Sequence, residues 1–113
     1  MHEYSIVGAL ISQVEGEARR RGARVVNRVH VRIGTVSGVE PVLLTAAFDV
    51  FRERTLCQGA ELVIERIAER WTCPACGTVI DRDAGLLCGR CGTPPRLTAG
   101  DEIILNRIEM EVS

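Results

Sequence analysis

Two short cysteine loops constrain this chain more than any other feature. The stretch "WTCPACGTVIDRDAGLLCGRCGTPP" sets Cys73, Cys76, Cys88 and Cys91 in a Cys-x2-Cys-x11-Cys-x2-Cys pattern, with a glycine directly after each pair. Two such pairs make a tetrahedral thiolate cage, because each loop can present two sulfurs at about 2.3 Å from one ion. Gly77 and Gly92 suit the second half of each loop, where the backbone must curl around the metal with no side chain in the way. The residues between the pairs are polar, turn-rich and too few for a core, so the metal supplies the folding energy of the segment. Structural Zn(II) is the expected ion. Catalytic zinc leaves one position open to water, which four cysteines do not. A thioredoxin-like redox site needs one Cys-x-x-Cys at a helix start, and two are present without that context. A rubredoxin-type iron site has the same ligand set and stays open on sequence grounds.

The rest of the chain must bury its own core. A length of 113 residues with 46% hydrophobic composition fits one compact unit, or one carrying a small appendage. A net charge of -1 and a pI near 6.1 give no field that would attract nucleic acid or an anionic membrane. All 14 cationic side chains are arginine, from which no function follows. The opening residues lack the basic n-region of a secretory signal, and no apolar run approaches the roughly 20 residues needed to span a bilayer. The expected location is therefore cytoplasmic, where thiols stay reduced and cysteines read first as metal ligands or free thiols. Cys57, outside the pattern, reads as a small apolar core residue.

Periodicity divides the chain into helix, strand, helix, strand, insertion, strand. Ile6, Leu10, Val14 and Ala18, flanked by Val7 and Ile11, recur at three- and four-residue spacing before the Arg19-Arg20-Arg21 run and Gly22. That is an amphipathic helix with cations in its last turn and a glycine stop. "RVVNRVHVRIG" then alternates Val29, Val31 and Ile33 with Arg28, His30 and Arg32, a half-buried strand with His30 on its solvated face. Ser37 and Glu40 read as a capping box for the second helix, or Pro41 as its first position; either places Glu40 at a helix amino terminus. Leu44, Ala47, Phe48 and Phe51 form that helix's expected buried stripe, with Gly59 as its end. "AELVIERI" and "DEIILNRIEMEV" are further strands, the last with an irregularity near Asn106. The expected fold is α+β: two helices packed on a three-stranded mixed sheet (1–70 and 100–113), with an inserted four-cysteine zinc domain at 71–99.

The start, "MHEYS", has its own chemistry. The Met1 amine, the backbone nitrogen and imidazole of His2, and the amide nitrogen of Glu3 can close fused chelate rings in a plane, the geometry favoured by nickel(II) and copper(II). On the residues alone, a histidine at a chain end is more often solvated than metal-bound. A zinc-ribbon module that binds nucleic acid or protein is the rival class, but it should gather basic and aromatic residues around its knuckles. The insertion has two arginines, two aspartates and only Trp71 at its edge. No His-Glu-x-x-His run or phosphate-binding glycine loop points to an enzyme.

"MHEYS" at the start, "VRIGTVSGVEP" after the first strand, "AFDVFRERT" in the second helix and the paired knuckles before a final hydrophobic strand together resemble the HypA/HybF family of hydrogenase-maturation nickel metallochaperones. The resemblance runs in order along essentially the whole chain. It implies transported Ni(II) held at Met1, His2 and Glu3, with His2 the principal ligand and Glu3 shaping the site. It implies structural Zn(II) at Cys73, Cys76, Cys88 and Cys91, and no catalysis. Glu40 falls where the family carries an acidic residue at the start of the second helix, which capping explains equally well. Some family members carry histidines beside the second cysteine pair, whereas this chain has "CGRCG". The implied partners are a HypB-type nickel GTPase and the large-subunit precursor of a [NiFe]-hydrogenase, with no nucleic acid and no membrane. A homodimer by strand exchange is permitted but not demanded.

Overall fold

The computed structural model describes residues 3–81 and 85–112. Helix α1 (Glu3–Arg20) buries Val7, Leu10, Ile11, Val14 and Ala18 of the expected stripe, while Ile6 is only half-buried against it. Its last turn is tied by Arg20 and Arg21, which both bond Glu17, and Gly22 ends it at φ 70° with its N–H donating to the Arg19 carbonyl. A residue with a Cβ pays for that left-handed conformation, so glycine stands there.

Strand β1 (Ala23–Gly34) is the centre of a three-stranded sheet, with β2 (Glu61–Ile67) parallel on one side and β6 (Ile103–Val112) antiparallel on the other. The sheet is mixed, as expected. The irregularity falls at Asn106: Arg107 opposes His30 and Leu105 opposes Val31, leaving one extra residue in β6. Val26, Val29, Val31 and Ile33 are buried against the helices, together with Leu44 and Phe48 of helix α2 (Pro41–Phe51).

The second helix differs from the expectation at both ends. Ser37 and Glu40 form no reciprocal box: the Ser37 hydroxyl accepts from the Val39 N–H, while Glu40 is itself the N-cap and accepts from the Val42 N–H at 3.4 Å. Pro41 takes the first helical position, where its missing N–H costs nothing. The helix stops at Phe51 rather than near Gly59, and turns with Arg54 at φ 63° fill the interval. Phe51 is accordingly not in the core; it is 43% exposed and meets Tyr4 edge-on, with ring centroids 5.3 Å apart. Cys57 is fully buried, and burial, with Glu15 nearby, raises its thiol to about 11.

The outer sheet face is a lattice of charge. Arg28 lies between Glu61 (3.2 Å) and Glu109 (3.1 Å), Arg32 meets Glu65 at 3.1 Å, and Glu109 also takes Arg107 at 2.8 Å and His30 Nε2 at 2.5 Å. His30 is therefore engaged by side chains rather than simply solvated. Arg107, His30 and Arg28, in that order, hold the Glu109 carboxyl down to about 2. A carboxyl depressed on folding stabilises above its unfolded value of about 4.3, and that contribution disappears as pH falls toward 2. Glu109→Gln is thus expected to melt below wild type at neutral pH and to converge with it by about pH 2. Thermal melts from pH 7 to 2 check this, and parallel curves would show that the cluster has no linkage to folding.

Between β2 and β6 the chain builds a second sheet instead of an insertion of turns alone. Strands β3 (Arg70–Thr72), β4 (Val79–Ile80) and β5 (Arg96–Ala99) are antiparallel in the order β4-β3-β5. The two segments that join the sheets, 68–69 and 100–102, pass beside the end of β1 at Gly34, whose N–H donates to the Glu102 carbonyl at 2.8 Å, while the Val36 N–H donates to the Gly100 carbonyl at 2.8 Å. Thr35 completes the junction through its N–H on the Ile67 carbonyl, 2.9 Å.

Candidate functional site

The four patterned cysteines converge. Among the described residues their Sγ atoms form one cluster, all within 4.8 Å of one another, with Cys76 and Cys88 3.8 Å apart. A tetrahedron with metal–sulfur bonds of about 2.3 Å has sulfur–sulfur edges of about 3.8 Å, the spacing at which Cys76 and Cys88 already stand.

Each pair is built the same way. The Cys73 N–H donates to the Thr78 carbonyl and the Gly77 N–H to the Cys73 carbonyl, both 2.9 Å; Cys88, Thr93 and Gly92 repeat this at 2.9 and 2.8 Å. The loops reverse at Gly77 (φ 77°) and Gly92 (φ 65°), which confirms the need for glycine there. Within each pair the first cysteine is buried and the second exposed, so the cage has an inner and an outer side. The Thr78 hydroxyl lies 3.0 Å from Cys76 Sγ and, with the Thr78 main chain, holds that thiol down to about 6. Cys91 is pushed up to about 12, first through its contact with Cys76. Sulfurs this close share protons unless a cation balances them, which is the electrostatic demand that a dication meets. The donor set, four sulfurs with no open position, fits a structural ion. The threonines went unread in the sequence, although the repeated Cys-x-x-Cys-Gly-Thr carried the signal.

The sequence-predicted nickel ligands Met1 and His2 lie outside the described residues. Glu3 is described: it opens α1, is buried, and accepts a hydrogen bond from the Glu40 N–H at 3.1 Å. The first turn of α1 is thereby tied to the start of α2. Glu40 has two jobs: its side chain caps α2 while its main chain holds Glu3. That second job was invisible in the sequence, because any residue but proline has the N–H that it uses.

A helix-covered sheet joined to a small sheet that gathers four thiolates defines a metal-binding α+β protein, and no described helix is long and apolar enough to cross a membrane. Comparison with known proteins narrows the class. The family model for HypA, described as hydrogenase/urease nickel incorporation, metallochaperone, matches residues 1–110. The hydrogenase maturation factor HypA of Aquifex aeolicus is 39% identical over 99% of each chain, and that of Wolinella succinogenes is 43% identical over 98% of this chain and 96% of its own. The solution structure of the Ni metallochaperone HypA from Helicobacter pylori superposes with a TM-score of 0.77 at 33% identity, covering 100% of both chains. A second HypA solution structure gives a TM-score of 0.84 at 33% identity, covering 100% of this chain and 98% of its own. The chain belongs to the HypA family, whose members are metallochaperones and not enzymes.

Proposed function

We propose that this protein carries Ni(II) at its amino terminus and delivers it to the large-subunit precursor of a [NiFe]-hydrogenase, acting with a HypB-type GTPase in the cytoplasm. The Met1 amine, the His2 imidazole and the backbone nitrogens of His2 and Glu3 are the proposed nickel ligands, and Cys73, Cys76, Cys88 and Cys91 the proposed zinc ligands. The observation that carries this reading is the anchoring of Glu3. Its carboxylate is engaged by the Glu40 N–H, which fixes the residue after His2 at the start of α1. The proposed Glu3 ligand nitrogen therefore stands at a fixed point beside the start of α2. Exchangeable ligands at a chain end suit a donor, because the ion can be handed over by replacing one ligand at a time, whereas a closed thiolate cage holds its ion.

The test is nickel calorimetry on zinc-loaded protein with its native start, beside the same chain extended by Gly-Ser before Met1. The native chain is expected to bind one nickel, more tightly as pH rises because amine, imidazole and amides must lose protons. The extended chain is expected to lose this binding with its zinc unchanged. Equal nickel binding by both chains would remove the terminal amine from the site and the proposal with it.

A further inference from the structure

Beside α1 the sheet is left uncovered. Strand β6 is an edge strand of ten residues, paired only with β1 among the described residues, so one row of its main-chain N–H and C=O groups faces outward. Along the same flank, on the helix side of the sheet, two clefts run between α1 and β6 and share Gln13 and Leu105 in their walls. One, of about 240 Å³, is apolar, with Ile6, Leu10, Ile33, Leu44 and Leu105 in its walls. The other, of about 520 Å³, has Arg20 and Arg21 in its walls, both bonded to the Glu17 carboxylate, and Arg107, whose guanidinium is paired with Glu109. Apolar side chains of β6 stay half-buried beneath this trough, and Ile103, Ile104 and Val112 are exposed at its ends.

We propose that this flank is a docking site for an extended segment of a partner protein, which adds a fourth strand to β6. The three features name its chemistry. The open main-chain edge requires a strand, since a helix satisfies its own backbone groups internally. The apolar cleft requires alternate apolar side chains, because only every second residue of an added strand faces the helix side. The arginine-lined cleft favours one carboxylate toward the Arg107–Val112 end of β6, because Arg20 and Arg21 share the single carboxylate of Glu17 while Arg107 is paired with Glu109. The bulge at Asn106 divides the edge into two short ladders, which suits reversible docking of a short segment better than a long permanent pairing.

The probe is a fluorescein-labelled, end-blocked octapeptide alternating valine and threonine with one aspartate at one end, titrated by anisotropy against the full zinc-loaded chain. Its partner probe carries N-methyl groups on alternate residues, which deletes main-chain donors and keeps the side chains. Saturable binding of the first is expected, weakened at least about tenfold by N-methylation and about tenfold by Gln13→Trp, which fills the shared wall from an exposed helix position. Gln13→Trp should keep its zinc and its helical circular dichroism. An octapeptide that fails to bind overturns the proposal. So does binding that ignores N-methylation, which would assign the trough to a helix or to side chains alone, or binding that ignores Gln13→Trp. Concentration-dependent dimerisation that the peptide competes away would give the edge to a second copy of this chain and would equally overturn it.

Discussion

Cys73→Ser is expected to lose its metal and the order of the small sheet while leaving the helix-covered sheet folded. Cys73 is buried at the root of the first loop, and its N–H and C=O both close that loop, on Thr78 and Gly77. Structural zinc contributes about 10–16 kcal/mol of apparent binding free energy in small zinc domains, and strands of two to four residues have no core to replace it. Elemental analysis should give one zinc per wild-type chain and a small fraction of that in the variant. Amide exchange should speed up in β3, β4 and β5 but not at Val29 or Val31. Cys57→Ser serves as the control, because Cys57 lies in the larger core and outside the cage. It should keep its zinc and lose only a little stability. Unchanged zinc in Cys73→Ser would disprove the four-sulfur cage. Iron in the wild-type chain would keep the cage and replace the ion. Melting of both sheets together would undo the proposed division into a nickel-side unit (1–70 and 100–113) and a zinc unit (71–99).

What could be read from the sequence was whatever depends on spacing. The stripe of α1, the alternation of β1, the extra residue near Asn106 and the two glycine-closed knuckles are local patterns, and the structure has them all. Where the reading failed, a tertiary contact replaced a local rule. Phe51 continues the apolar spacing of α2 but lies on the turn that faces Tyr4, so spacing alone promoted it to the core. Gly59 reads as the helix end because glycine ends helices, whereas the chain leaves α2 at Arg52, whose side chain bonds the Ala60 carbonyl at 2.6 Å. The strands of the small sheet are too short for period two to register. At the amino terminus, chelate geometry and resemblance both single out His2, and the tie from Glu3 to the Glu40 main chain has no sequence signature.

The junction between the two sheets leads to the other large effect, at Gly34. A Cβ there would lie 2.0 Å from the Gly100 carbonyl oxygen and 2.6 Å from the Asp101 nitrogen, inside the contact distance of any real pair of atoms. Both neighbours are backbone, so no rotamer change can relieve the overlap. Gly100 has no room to retreat, because it holds φ 109° with its own Cβ position 2.5 Å from Glu69 Cα. Gly34→Ala must therefore push the end of β1 away from the 100–102 segment, which threatens the hydrogen bonds from Gly34 to Glu102 and from Val36 to Gly100. Overpacking of this kind costs about 1–3 kcal/mol and each lost buried hydrogen bond about 1 more, so the melting temperature should fall by at least about 10 °C. Gly8→Ala is the matched control with the opposite sign: nothing lies within 4 Å of its Cβ position, and alanine in a helix interior gains up to about 1 kcal/mol over glycine. Since the cage does not touch Gly34, the variant should keep its zinc even as the melting temperature drops. A Gly34→Ala chain that melts with wild type would mean that the segments do not pass this closely, and the two sheets would then be joined by a looser tether than the backbone contact at Gly34 and Gly100 implies.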